Sequence, residues 1–357
     1  KIKIVSGTNT NNYGFRVLDT AAATDLALGS VVSATLNPAN ETDLYAFEAS
    51  AGQRLYLDVR SLSPDYGDWI SWRLLDPYGR QVLGPIGFNS NGASGGDNGF
   101  VVPFAGRYTL LVEGRIWATQ YTGSFAYTFD VHELVDPAPV ALELGEVTSG
   151  TLALAGARNT YTFTLDALTT LYFDSRTNSS TLNWTLSGPH GTVVSARALR
   201  SSDSTDGNSV LRLAAGDYTL VVDGSGDATG DYSFRLASTA SATGLTPGTA
   251  VSGVLDPASA TQAWRFDVTA GERFFFDVRA RSGGDVYWRL VDPDGRTVFG
   301  PRYMNWTDGS SDQDVLMLAK SGSYTLLIEG RYYTTGTASY TFNVQPVSDD
   351  EATLTLD

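Results

Sequence analysis

The sequence predicts an all-β chain built from tandem antiparallel β-sandwich domains, jelly-roll-like, set in an elongated row. Three observations predict this. One phrase recurs three times at a domain-sized interval. Its residues alternate apolar and polar, as a half-buried strand does. Charged residues make up only 18%, while Gly reaches 37 and Ser and Thr abound, a balance that suits strands joined by turns. A length of 357 residues agrees with two or three domains, each large enough for its own core.

The recurring phrase is Gly106-Arg107-Tyr108-Thr109-Leu110, then Gly216-Asp217-Tyr218-Thr219-Leu220, then Gly322-Ser323-Tyr324-Thr325-Leu326, at steps of 110 and 106 residues. Each copy runs to a second glycine, Gly114, Gly224 or Gly330, and then to a Tyr-x-Phe strand: Tyr127 and Phe129, Tyr232 and Phe234, Tyr340 and Phe342. Upstream, Trp72-Arg73-Leu74-Leu75-Asp76-Pro77-Tyr78-Gly79-Arg80 matches Trp288-Arg289-Leu290-Val291-Asp292-Pro293-Asp294-Gly295-Arg296. The middle copy, around Trp184, has drifted. Asp-Pro-x-Gly is a turn signal, because Pro fixes φ and Gly accepts a positive one. Seven or eight short strands per repeat are expected. Ala21 to Asp25 is the one stretch with room for a helical turn.

The expected boundaries follow from these markers. Residues 1–19 read as the closing hairpin of a preceding repeat, 20–133 as the first sandwich and 134–238 as the second. Residues 239–346 read as the third, and 347–357 as the opening strand of a following one. The linkers, about ten residues each, are too short for independent tumbling. With no initiator Met and no signal peptide at Lys1, the chain reads as a window on a longer array.

Composition excludes several functions. The formal charge of -15 disfavours nucleic acid and anionic membranes, because phosphate neutralisation needs clustered cations. No apolar run is long enough to span a bilayer as a helix, so membrane insertion is not expected. Cys is absent, which removes disulfides, thiol nucleophiles and Cys-ligated zinc. His132 and His190 are the only histidines, both read in turn-like surroundings. No carboxylate pair stands out by spacing, and no phosphate-cradling loop exists. The chain is therefore not expected to be an enzyme.

At this point the markers resemble a family. The opening Leu-x-x-Gly strand is followed by Asp43-Leu44-Tyr45-Ala46-Phe47, then Asp-Pro-x-Gly, Ala-Gly-x-Tyr-Thr-Leu and a final Tyr-x-Phe. This order is similar to the bacterial pre-peptidase C-terminal domain, across all three repeats. The resemblance implies a secreted jelly-roll-like sandwich, an extracellular or cell-surface setting, and a non-catalytic role in secretion, binding or adhesion. Some collagen-binding relatives carry calcium through acids before the Asp-x-Tyr-x-Phe strand. Only the first repeat keeps acids there, Glu41 and Asp43, where the second has Asn159 and the third Gln262.

Three further patterns carry chemistry. The loop after each turn strand is rich in hard oxygen donors of the kind calcium takes. These include Asp97 in the first repeat, Asp203, Asp206 and Asn208 in the second, and Asp308, Asp312 and Asp314 in the third. The same residues favour ordinary turns, and no cofactor is required by the reading. Asp-x-Arg recurs as Asp58 and Arg60, Asp174 and Arg176, and Asp277 and Arg279, the pattern of an ion pair on one strand face. Trp69, Trp117, Tyr121, Tyr303, Trp306, Tyr332 and Tyr333 do not recur through all repeats. Ring faces beside polar groups suit a glycan platform, and equally the seams between domains. The recurring Trp72, Trp184 and Trp288 are expected in the cores.

The leading expectation is a structural region, a stalk, spacer or filament or adhesin segment of a large extracellular protein. The alternatives are a glycan- or protein-binding adhesin module and the accessory domains of a secreted peptidase or other hydrolase. Expected partners are neighbouring repeats and an extracellular glycan or matrix protein.

Overall fold

The computed structural model describes residues 14–65, 69–89, 98–120, 123–203, 209–305 and 311–348. They form three β-sandwiches of one topology, without an α-helix among the described residues.

In the first repeat the strands are β1 (Thr24–Asp25), β2 (Val32–Leu36), β3 (Thr42–Ala49), β4 (Arg54–Ser63) and β5 (Ile70–Leu75). They continue with β6 (Gln81–Gly87), β7 (Asn98–Val101), β8 (Gly106–Gly114) and β9 (Phe125–Glu133). A five-stranded sheet, β1-β3-β8-β5-β6, faces a four-stranded sheet, β2-β9-β4-β7. The second repeat uses β10 (Val140–Ala141), β11 (Val147–Leu152), β12 (Arg158–Leu165), β13 (Thr169–Ser175) and β14 (Leu182–Gly188). It adds β15 (Gly191–Ala198), β16 (Val210–Leu213), β17 (Gly216–Gly224) and β18 (Gly230–Ser238). The third uses β19 (Thr243–Gly244), β20 (Val251–Leu255), β21 (Thr261–Val268), β22 (Arg273–Gly283) and β23 (Val286–Val291). It closes with β24 (Thr297–Tyr303), β25 (Gln313–Met317), β26 (Gly322–Gly330) and β27 (Ala338–Pro346). Strand order is repeated sheet for sheet: β10-β12-β17-β14-β15 over β11-β18-β13-β16, and β19-β21-β26-β23-β24 over β20-β27-β22-β25.

Each repeat thus shows nine strands where seven or eight are expected. The extra is the two-residue β1, β10 or β19, which pairs in parallel with the strand after next. Two residues carry no periodicity, so nothing in the sequence announces them. The helical turn expected within Ala21 to Asp25 is a 3₁₀ turn at Thr20–Ala22, capped by Asp19, with Thr24–Asp25 already in β1. Further 3₁₀ turns lie at Ala118–Gln120, Leu199–Ser201 and Thr239–Ser241. His132 lies on β9 and not in a turn.

The repeated phrase has a physical origin. A Cβ at Gly106, Gly216 or Gly322 would lie 2.8, 2.8 or 2.9 Å from the ring of Pro77, Pro189 or Pro293, the proline of the turn motif, and φ there is near 136°, 140° and 134°. The Tyr two residues on returns its hydroxyl to the backbone four residues upstream: Tyr108 to the Phe104 carbonyl and Tyr218 to the Ala214 carbonyl, both at 2.9 Å. The phrase therefore closes one corner of each sandwich.

Alternation places Trp72, Trp184 and Trp288 between the two sheets of their own repeats, fully buried. Trp184 stacks on Phe173 with ring centroids 3.9 Å apart and donates its indole N–H to Ser202 Oγ at 2.7 Å. The Tyr of each Tyr-x-Phe strand is buried with a polar partner on the facing sheet. Tyr127 donates to Asp43, Tyr232 accepts from Asn159, and Tyr340 donates to Gln262. A buried hydroxyl needs such a partner, which explains why a polar residue recurs at that place.

The chain divides into two compact units, Lys1–Leu134 and Val135–Asp357. The second unit holds the second and third repeats together.

Candidate functional site

The outer faces of two sheets meet inside the second unit. On β13, Leu171 and Phe173 point into the core, so alternation sends Tyr172 and Asp174 outward. There Tyr172 and Val210 pack with Val291 and Leu327 of the third repeat, against the half-buried Ala263. The apolar knob carries a polar tip: Tyr172 donates its hydroxyl to Glu329 Oε1 at 3.0 Å and accepts from Thr261 at 3.2 Å. Glu329 pairs with Arg289 at 3.1 Å, the two side chains 0% and 4% exposed. Arg235 reaches across to the Thr261 carbonyl and pairs with Asp174 at 3.0 Å, while Arg176 approaches Asp174 at 3.5 Å. At the rim Arg212 lies 3.5 Å from Asp294, and the Gly295 turn abuts Thr170.

Buried charge is costly unless paired and hydrogen-bonded. Burial pushes the Glu329 and Asp174 carboxyls up, against the pull of Arg289 on one and of Arg235 and Arg176 on the other. Asp203 is pushed up further, by burial and by the nearby charges of Asp174 and Glu329. Its Oδ2 accepts from the Ser175 N–H at 2.7 Å, and its Oδ1 has no hydrogen-bond partner among the described residues. No sequence pattern marks this joint, because an outward strand face alternates in the same way whether water or another domain covers it.

The expected calcium donors that fall among the described residues are dispersed. Asp203 and Asp312 occupy equivalent places, each accepting a backbone N–H at its repeat's strand edge, from Ser175 and from Val278 at 2.8 Å. Asp314 is exposed and binds the next N–H, that of Val315. Glu41 accepts from the Asn37 N–H at 2.6 Å, and Asp43 from Tyr127 at 2.6 Å. Burial pushes the Asp43 carboxyl up despite the Tyr127 hydrogen bond. Asp97, Asp206, Asn208 and Asp308 lie outside the described residues.

The Asp-x-Arg pairs form ion pairs, at 3.4 Å for Asp58 with Arg60, 3.5 Å for Asp174 with Arg176 and 2.8 Å for Asp277 with Arg279. In the first repeat Asp130 sits opposite Asp58, and His132 Nδ1 lies 2.9 Å from Asp130 Oδ2. Asp58, Asp130 and His132 each offer one donor atom within 4.8 Å of the others. Arg60 already holds Asp130, at 2.5 Å. Burial opposes the Asp130 charge, yet the His132 and Arg60 contacts keep its carboxyl below the usual range. A guanidinium in place satisfies these acids as an ion would.

The aromatic residues divide differently. Tyr303 and Tyr333 both donate to Asp285, at 3.2 and 2.7 Å. Arg331 stands 5.4, 5.5 and 5.1 Å from the ring centroids of Tyr287, Tyr332 and Tyr333, and Arg281 stands 4.9 Å from Tyr303. The structure thus brings Tyr303, Tyr332 and Tyr333 into one cation–aromatic cluster, with Tyr333 the most open. Tyr287, which no sequence pattern singles out, belongs to it too. In the first repeat Trp69 packs on the core, while Trp117 is exposed beside Arg115. Tyr121 and Trp306 lie outside the described residues.

No family model matches the chain, and a comparison with curated proteins found no match. Among solved structures it is similar to Aeromonas hydrophila PliG, a periplasmic lysozyme inhibitor of g-type lysozyme. That match has 12% identity and a TM-score of 0.25, over 31% of this chain and 95% of that one. The CUB1-EGF-CUB2 domains of rat MASP-1 match with 10% identity and a TM-score of 0.20, over 57% and 99%. A triple jelly roll of an archaeal virus turret assembly matches with 11% identity and a TM-score of 0.15, over 89% and 82%. No helix among the described residues is long and apolar enough to cross a membrane. The chain is an all-β protein of tandem sandwich repeats.

Proposed function

We propose that the chain is a non-catalytic spacer of an extracellular bacterial protein, a stalk or filament segment that holds other modules apart. One observation carries this reading: the joint between the second and third repeats is a packed, ion-paired interface and not a flexible linker. Two sandwiches fixed through Tyr172, Glu329 and Arg289 transmit orientation along the chain. The acidic excess suits solubility outside the cell.

The test uses the absence of native Cys. Single cysteines at the exposed Val193 and Val298 carry spin labels on the second and third repeats. A narrow distance distribution is expected. A broad one, as from domains tumbling on a tether, would overturn the reading.

A second reading is favoured by the ring cluster around Arg331, which suits a glycan-binding module of an adhesin. A glycan array would support it through a ligand lost in Tyr333→Ala. An array without hits would remove it.

A further inference from the structure

The joint inside the second unit has a socket and a knob. The socket is the outer face of the five-stranded sheet of the third repeat: Ala263, Val291, Leu327 and the Arg289–Glu329 pair. Strand register places the same face on the first repeat. Glu113 sits opposite both Thr42 and Ser71, as Glu329 sits opposite Thr261 and Tyr287. Leu44, Leu75 and Leu111 then stand where Ala263, Val291 and Leu327 stand. Arg73 pairs with Glu113 at 3.1 Å, as Arg289 does with Glu329. The difference is cover: the Arg73 and Glu113 side chains are 34% and 23% exposed, against 4% and 0% for the buried pair.

The knob is the outer face of a four-stranded sheet. Opposite Asp277 in the third repeat stands Asn343, as Arg235 stands opposite Asp174. This register puts Phe275 at the place of Tyr172 and Met317 at the place of Arg212. Phe275 is half-buried and Met317 is 68% exposed.

The two open faces differ from the covered ones in matching ways. In the observed joint Arg212 meets Asp294, and Lys320 braces that turn through Asp292 and Asp294. On the two less covered faces Met317 stands at the place of Arg212, Tyr78 at that of Asp294 and Phe104 at that of Lys320. Tyr78 is 70% exposed and packs edge-on against Phe104, itself 40% exposed, with ring centroids 5.7 Å apart. Phe275 lacks the hydroxyl of Tyr172, and the socket of the first repeat is leucine at all three apolar places. The open faces keep charge at Arg73–Glu113 and at Asp277. The rim contact Arg212–Asp294 and its Lys320 brace, however, have the counterparts Met317, Tyr78 and Phe104, with Arg80 over the Tyr78 and Phe104 rings at 5.0 and 4.9 Å. Thioether and ring suit one another.

We infer that copies of this chain associate head to tail, the four-stranded sheet of the third repeat in one copy seating on the five-stranded sheet of the first repeat in the next. Such a contact joins two different surfaces, so it propagates into chains of molecules or closes into a ring. This goes beyond the spacer reading, which needs only the joint within one chain.

Sedimentation of the full chain from low to hundreds of micromolar tests it. Concentration-dependent association is expected. Tyr78→Asp, which installs the residue the third repeat carries there, should raise the dissociation constant about tenfold. Adding Met317→Arg should restore binding by recreating the Arg212–Asp294 pair. A chain that stays monomeric throughout, or association indifferent to Tyr78→Asp, would overturn the inference. The spin-label distance within one chain is untouched by either outcome.

Discussion

The Tyr172 hydroxyl donates to the Glu329 carboxylate across the joint of two sandwiches, and both groups are buried. Replacing the tyrosine by phenylalanine leaves its ring packing while taking a donor from a buried anion. Tyr172→Phe should cost the second unit about 1–3 kcal/mol. Tyr172→Ala, which also opens a cavity, should cost about 3–5 kcal/mol. Urea unfolding followed through the second unit's transition checks both, and equal midpoints for wild type and Tyr172→Phe would count against the joint.

Asp203 gives the joint a pH dependence. Its folded carboxyl titrates above the ordinary range, because burial and the charges of Asp174 and Glu329 oppose ionisation more than the Ser175 N–H and Arg331 favour it. A folded pKa above the unfolded one means the folded state holds its proton more tightly. The contribution is therefore fully present below the unfolded value, about pH 4, and is lost as pH rises through the folded value. Asp203→Asn should flatten this decline and narrow the stability gap between mildly acidic and alkaline buffer. Thermal melts of the two proteins across that window measure it, and parallel curves would remove Asp203 as the titrating group.

The second glycine of each repeat is a close-approach site. A Cβ on Gly330 would lie 1.9 Å from the Ala258 carbonyl oxygen, and one on Gly224 would lie 2.1 Å from that of Ala228. Backbone cannot yield as a side-chain tip can, so Gly330→Ala should destabilise by about 2–4 kcal/mol, the strain class of large mutational effects. Gly244, with nothing within 4 Å, is the control, and Gly244→Ala should stay within about 0.5 kcal/mol of wild type. Similar melting temperatures for the two variants would contradict the packing described.

The Tyr-x-Phe tyrosines offer a separate test of the cores. Tyr340 is pushed up to about 12 by burial, against the Trp264 hydrogen bond. Tyr232 is pushed up by burial and by the Tyr161 hydroxyl, 2.6 Å away. These phenols should stay protonated when exposed tyrosines ionise near the ordinary value of about 10. Spectrophotometric titration should show two classes of tyrosine, the later one appearing with unfolding. A single class would mean that the Tyr232 and Tyr340 hydroxyls are not buried as described.

Much of the fold is legible in the residues alone. Periodicity puts Trp72, Tyr108 and Phe129 on buried faces, and the repeat spacing divides the chain into three sandwiches. Asp-Pro-x-Gly and the glycines mark the corners because those backbone shapes admit few other residues. These are local constraints, enforced within a few residues or by one strand's alternation. The placement of Asp203 at a sheet edge, the meeting of Tyr303 with Tyr333 over Asp285, and the burial of Glu329 under Tyr172 belong to tertiary structure alone. A strand's outward face reads the same in sequence whether water or another domain covers it. Arg73 with Glu113 and Arg289 with Glu329 are the same pair in the same register, and only the docking of a neighbouring sheet makes one of them buried.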